Sequence, residues 1–214
     1  MEWLRFAAKV FQFLFEILIF IPQYYFSRES RARRRIKKTS VKSIENKNIS
    51  QGERVKLIGT AHDLNKKVTA PVSNSECIYY KVEVQRSRYD FEELIVDEYD
   101  GHTFQLNVND QHVFINPDNS LSLLKQTKAV STGILGNAPA HLVNFLNAKG
   151  ISAKSFGFNK SLWFREYRIS EGDKVAVLGY ANWFETNDGK RQLELKTGDL
   201  KPIIISNRKS ALKK

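Results

Sequence analysis

From Gly52 onward apolar and polar positions alternate with a period of two, the pattern of strands with one face buried and one in water. Ile78, Tyr80, Val82 and Val84 alternate with Tyr79, Lys81, Glu83 and Gln85, and Phe104, Leu106 and Val108 alternate with Gln105, Asn107 and Asn109. Leu193 and Leu195 repeat the pattern between Gln192, Glu194 and Lys196. Asp100-Gly101 and Asn109-Asp110-Gln111-His112 read as turns, and Asn187-Asp188-Gly189 predicts a hairpin onto the strand that contains Val175 and Val177. A helical spacing interrupts this pattern at residues 139–149, where Leu142, Val143, Phe145 and Leu146 form one apolar face and Gly150 follows as a stop. Residues 131–137 have no clear period and read as a connection.

Two segments follow one template: residues 52–59 and 172–179 both run glycine, acid, base, valine, any residue, two aliphatics, glycine. The first glycine suits a tight turn into a strand, and the last suits a bend where a sheet turns a corner. Such strand-entry chemistry at two places predicts a mainly β fold, a small antiparallel barrel of the OB type with one inserted helix near 139–149.

The N-terminus is different. Trp3 to Phe26 is apolar and aromatic, long enough for a membrane helix at about 1.5 Å per residue. Arg5, Lys9, Gln12, Glu16 and Gln23 interrupt it, but their spacings place them on one narrow stripe. Trp3, Phe6, Val10, Phe13, Leu14, Ile17, Leu18 and Ile21 are left to contact lipid. A spanning helix with its polar stripe toward a partner helix fits this narrow stripe better than a helix lying in the interface. Arg33, Arg34 and Arg35 belong to the basic run that follows; such a run marks the cytoplasmic side of a span and suits anionic lipid headgroups.

The net charge of +11 is unevenly distributed. Residues 28–38 hold seven basic residues against Glu29, and residues 207–214 hold four with no acid, so residues 39–206 are left near neutrality. A basic face tracking a nucleic-acid backbone is therefore not expected on the folded domain. The predicted organisation is an anchor at 1–27, a basic linker at 28–49, the barrel at 50–206 and a basic tail at 207–214.

Chemistry-bearing residues do not gather into a catalytic pattern. Asp97, Glu98, Asp100 and His102 are close in sequence, but neighbours on a strand point to opposite faces and a solvated hairpin end accounts for them. No serine sits in a nucleophile elbow, no residue is assigned to catalysis or a metal, and no cofactor is expected. Trp163, Phe164, Tyr167, Tyr180, Trp183 and Phe184 crowd the second half; alternation leaves about half of them able to reach a surface.

Ala70-Pro71, Cys77-Ile78-Tyr79-Tyr80 and the block from Phe164 to Gly179 resemble the GIDE domain, also called BAM for "beside a membrane", over about Ser50 to Ile205. This domain occurs in Mulan-type membrane-bound E3 ubiquitin ligases and in prokaryotic relatives. Pro71, Cys77, Tyr79, Tyr80, Glu166, Gly172, Asp173 and Gly179 stand where that pattern has its characteristic residues, with Glu166 expected to pair with Arg165 or Arg168 or to contact a partner. The family ligases carry a RING whose two zinc ions need about eight Cys and His ligands; one cysteine and four scattered histidines cannot supply them. The resemblance therefore implies a membrane-anchored, single-pass interaction module with its barrel in the cytosol, its partners a lipid bilayer and a protein. The competing readings are a contribution to ubiquitin ligation without a RING and an OB-like nucleic-acid binder.

Overall fold

The structure, a computed structural model, describes residues 27–42, 44, 49–88, 91–133, 138–155 and 158–213. The expected membrane helix at 3–26 and residues 134–137 of the expected connection lie outside the described residues. Among the described residues no helix is long and apolar enough to cross a membrane.

In chain order the elements are α1 (Arg28–Lys38), β1 (Arg54–His62), β2 (Val68–Ala70), β3 (Ser75–Cys77), β4 (Tyr79–Arg88), β5 (Phe91–Gly101), β6 (Phe104–Val108), β7 (Gln111–Ile115), β8 (Leu121–Ser122) and β9 (Gln126–Thr132). Then follow α2 (Ala140–Asn147), β10 (Lys154–Ser155), β11 (Phe158–Asn159), β12 (Leu162–Ile169), β13 (Lys174–Glu185), β14 (Arg191–Lys196) and β15 (Ile204–Ser206).

The two template segments pair with each other. β1 and β13 run antiparallel with Val55 opposite Gly179, Leu57 opposite Val177 and Gly59 opposite Val175, so one local two-fold axis through Leu57 and Val177 relates them. The hydrogen bonds obey the same symmetry: Gly52 N donates to Ala181 O at 2.8 Å and Gly172 N to Ala61 O at 2.9 Å, while Ala181 N and Ala61 N donate back to Glu53 O and Asp173 O. Even the turns match, because the Glu53 and Asp173 carboxyl groups accept from Ser50 N and Ser170 N. Gly52 and Gly172 take positive φ there, as the template requires.

Each of these strands then changes partner just after its second glycine. β1 passes to β6 from Thr60 onward, and β13 passes to β14 from Tyr180 onward. The order β1-β6-β7-β14-β13, with β13 returning to β1, closes a five-stranded barrel. The fold is not wholly antiparallel: β7 and β14 run parallel, as do β8 and β15. Val55, Leu57, Phe104, Leu106, Val113, Ile115, Val175, Val177, Leu193 and Leu195 fill the barrel from alternate positions. The β6–β7 hairpin turns on Asn109 and Asp110, both at positive φ; Gln111 and His112 already belong to β7.

A second sheet, which period alone does not separate from the barrel, is built from the two long excursions between barrel strands. Its order is β5-β4-β12-β9, all antiparallel. The predicted helix appears as α2 on its inner face, burying Leu142 and Leu146 against Val82, Val84 and Phe164. Tyr79 and Tyr80 are both buried although they alternate, since Tyr79 enters the barrel core and Tyr80 the second core.

Residues 28–38, read as part of a linker, form α1, capped by the Ser27 hydroxyl accepting from Ser30 N. Ala32 and Ile36, one turn apart, pack with Ala176 and Leu178 on the outside of β13 and with Leu123, Ile204 and Ala211. The basic tail joins this third core through Ala211, and Arg208 Nε donates to the Leu123 and Leu124 carbonyls.

A Cβ on Gly59 would lie against the Asn107 backbone, 2.9 Å from its carbonyl carbon, at the point where β1 turns to β6. Gly59→Ala is expected to cost about 2 kcal/mol or more in urea unfolding. Gly133→Ala, with nothing within 4 Å of the added carbon, is expected to stay within about 0.5 kcal/mol.

Candidate functional site

The outer face of the β1–β13 pair carries Lys56, Ile58, Ala176 and Leu178, and α1 lies across it. The template's basic position falls at opposite ends of this pair, as Arg54 on β1 and Lys174 on β13. Each end gathers further cations from α1. At the Arg54 end, Arg28, Arg31 and Arg35 line a shallow depression of about 290 Å³ with Arg54 and Lys201. Arg54 stacks over Tyr180 at 5.5 Å and donates to the Pro202 carbonyl; burial, with the Arg35 charge adding to it, lowers its pKa. Arg33 pairs with Glu29 at 3.5 Å, one turn earlier on the helix.

At the Lys174 end a cleft of about 720 Å³ opens between the C-terminal turn of α1, residues 39–42, the rim of the barrel and the C-terminal segment. Lys37, Lys38, Lys42, Lys174 and Lys213 line it, and among the described residues no carboxyl group does. Lys42 is shared with Glu53, which lies outside the lining and whose pKa this contact lowers. One wall is fixed from below: Lys56, fully buried, donates from Nζ to the Lys213 carbonyl at 3.2 Å, and burial lowers its pKa. Lys42 N donates to Lys56 O, tying residues 39–42 to the same strand.

All but one of the residues that carry the GIDE resemblance fall into two groups, Tyr79 standing apart in the barrel core. Gly172, Asp173 and Gly179 belong to the strand entry and corner of β13. Pro71, Cys77, Tyr80 and Glu166 meet in or beside the second core, around the turn between β2 and β3. Glu166 does not pair with Arg165 or Arg168. Its Oε2 accepts from Val72 N at 2.9 Å and Ser73 N at 2.8 Å, while its buried Oε1 has no hydrogen-bond partner among the described residues. Arg165 faces Glu92 across the sheet, and Arg168 donates to the Ser73 hydroxyl. Glu166 thus holds the turn onto β12 by its backbone, with His141 closing from α2 onto the Val72 carbonyl. Tyr79 reaches from β4 to the hydroxyls of Ser120 and Ser122, joining the second sheet to the barrel's β8 side.

The cluster is split as alternation requires: Asp97 and Glu98 lie within β5, Asp100 at its end and His102 just beyond it. Asp97 meets Lys81 on one face, and Glu98 receives the Tyr80 hydroxyl and Lys149 on the other. Among the described residues no group of three His, Cys, Asp or Glu side chains could hold a metal ion. Of the aromatic set, Trp163 is exposed and Phe164 fully buried. Trp183 donates from its indole to the Ile49 carbonyl and carries Arg191 over its ring, and Phe184 packs against Phe114. Sequence reasoning missed Lys42, Lys174 and Lys213 as a group with Lys37 and Lys38; the only signal was the shared basic position of the template.

Glu166→Ala leaves two backbone N–H groups without their acceptor and is expected to cost about 3 kcal/mol in urea unfolding, whereas Glu166→Gln keeps an acceptor and loses about 1 kcal/mol. Cys77 is buried, and burial first, with the Glu166 carboxyl next, pushes its pKa up to about 11. An unfolded chain loses this proton near about 8.5. Because the folded value is raised, this contribution to stability is complete below about 8.5 and is lost as pH rises toward about 11. At mildly alkaline pH iodoacetamide should therefore modify Cys77 only as fast as the chain unfolds, and Cys77→Ala should flatten the alkaline fall in stability.

No protein-family model matches the chain, and neither does any curated protein or solved structure, so the resemblance to the GIDE domain rests on its motifs alone.

Proposed function

We propose that this chain is a membrane-anchored interaction module, a GIDE-like barrel that residues 3–26 tether to the bilayer and that α1 sets against anionic headgroups on the cytosolic side. The observation that carries this reading is the mounting of α1. An exposed charge run has no fixed orientation, but here Ala32 and Ile36 dock the helix on β13, so Arg28, Arg31, Arg35, Lys37 and Lys38 are displayed outward. This array begins immediately after the apolar run, where a juxtamembrane cation contributes about 1 kcal/mol near an anionic surface. The barrel order, with the single parallel pair β7–β14 inside it, supports an OB-type assignment, a scaffold that binds partners on its faces and loops. The buried, backbone-directed roles of Glu166 and Cys77 support structural duties for the motif residues and leave recognition to the surface.

The test compares the full-length chain with a version beginning at Ser27, which keeps α1 and hence the third core. The full-length chain should resist carbonate extraction. The shorter version should float with vesicles containing phosphatidylserine, be released by salt, and ignore pure phosphatidylcholine. Replacing Arg28, Arg31 and Arg35 together with Gln should weaken vesicle binding by about a hundredfold. Extraction of the full-length chain by carbonate, or equal flotation on charged and neutral vesicles, would overturn the reading.

A further inference from the structure

The geometry points to the lysine-lined cleft at the Lys174 end as a binding site for a compact anion that carries two or more phosphate groups. This goes beyond the tethering of the helix, since it concerns a concave site and not a face, and it stands whether or not residues 3–26 enter a bilayer.

Five ammonium groups come to this cleft from four separate segments: Lys37 and Lys38 from the end of α1, Lys42 from the stretch after it, Lys174 from the start of β13 and Lys213 from the C-terminal segment. Like charges brought together by folding repel and lower the stability of the compact state unless something offsets them. Glu53 offsets Lys42 and also accepts from Ser50 N, and Asp173, next to Lys174, accepts from Ser170 N. Among the described residues no carboxyl group lines the cleft, which leaves Lys37, Lys38, Lys174 and Lys213 to be answered. A monovalent anion would answer one lysine of these four. A polyphosphate answers several at once, and charge-assisted bonds from ammonium to phosphate are among the stronger hydrogen bonds a protein makes.

Size and lining narrow the ligand further. At about 720 Å³ the cleft falls within the range of small-molecule sites and is far larger than one phosphate needs. Its floor is apolar at Ile58, Val108 and Leu212, suited to the carbon ring of a sugar or cyclitol. Asn107, Thr60 and Ser210 add neutral polar groups to its walls for ring hydroxyls. The site is also built rather than incidental. Lys56 and the Lys42 backbone fix two of its walls to β1, and Gly59 brings the third wall, β6, as close as a residue without Cβ allows. A phosphorylated cyclitol, either free or as the headgroup of a lipid, has this chemistry.

The experiment uses the full-length chain in nonionic detergent at physiological ionic strength, titrated calorimetrically with inositol trisphosphate and with pyrophosphate. Lys38→Gln/Lys174→Gln is compared with Lys125→Gln/Lys128→Gln, which removes the same charge from the exposed β9 side. The account expects binding of the trisphosphate, weakened at least about tenfold in the cleft variant and unchanged in the β9 variant. The free cleft variant should be as stable to heat as the parent, or more so, which separates lost binding from lost folding. A second arm replaces the soluble probe with phosphatidylcholine vesicles containing phosphatidylinositol bisphosphate, or phosphatidylserine at equal surface charge. If soluble trisphosphate binds and vesicles add nothing, the ligand is a free anion. If bisphosphate vesicles are preferred and only the cleft variant loses that preference, it is a lipid headgroup. No binding of either probe, or equal losses in the two lysine variants, would overturn the proposal. Resistance to carbonate is read separately, so failure of the anchor and failure of the cleft give different results.

Discussion

The pairing of β1 with β13 is the constraint on which the rest of this structure depends. It closes the barrel, and it does so by laying two copies of one sequence template against each other about a local two-fold axis. The template specifies each contact: a glycine at positive φ to enter, an acid to hold the turn by its carboxyl group, valines into the core, and a glycine just before the strand changes partner. A slip of one residue would turn the core positions toward solvent, and the matched turns at both ends oppose it. The symmetry has a second consequence, because the basic position of the template appears twice, at opposite ends of the same outer face. α1 bridges those ends, so the distribution of charge on this surface follows from how the barrel closes.

A few polar contacts of long sequence separation fix the second sheet and what packs on it. Glu166 holds the β2–β3 turn onto β12, nearly a hundred residues away, through two backbone N–H groups, and Tyr79 ties the second sheet to the barrel's β8 side. Contacts of this kind contribute most where they are buried, since an unpaired N–H in the interior costs more than the bond itself gains. Of the residues that resemble a family signature, Glu166 and Tyr79 thus hold elements together, while Gly172, Asp173 and Gly179 build the entry and corner of β13. The surface proposed for recognition is the one that α1 and the C-terminal segment build over β1 and β13.

Much of the β architecture was legible in the sequence because alternation is a local signal: Phe104, Leu106 and Val108 were read as buried and are. The hairpin at Asn187-Asp188-Gly189 and the helix after Pro139 were visible from turn and stop residues in the same way. What alternation cannot report is which strands share a sheet, so the division into a barrel and a second sheet was missed. The span read as a linker hid a helix because its arginines overwhelm the one-turn spacing of Ala32 and Ile36 and the capping serine before it. Glu166 was misread because its target is the main chain, which leaves no complementary residue to find. The lysine cleft draws on residues from 37 to 213, and only the fold brings them together.

The central claim is that α1, fixed on the β1–β13 face, presents the charged surface that meets an anionic partner at the membrane. Hydrogen–deuterium exchange on the full-length chain in nanodiscs, with and without anionic lipid, tests this most directly. The account predicts that α1 is protected in both, as a docked helix should be, and that anionic lipid adds protection at residues 28–42 and 208–213 while β9 and the β13–β14 hairpin stay unchanged. If α1 exchanges like an unfolded segment, or if added protection falls on the Trp163 face of the second sheet instead, the account is contradicted.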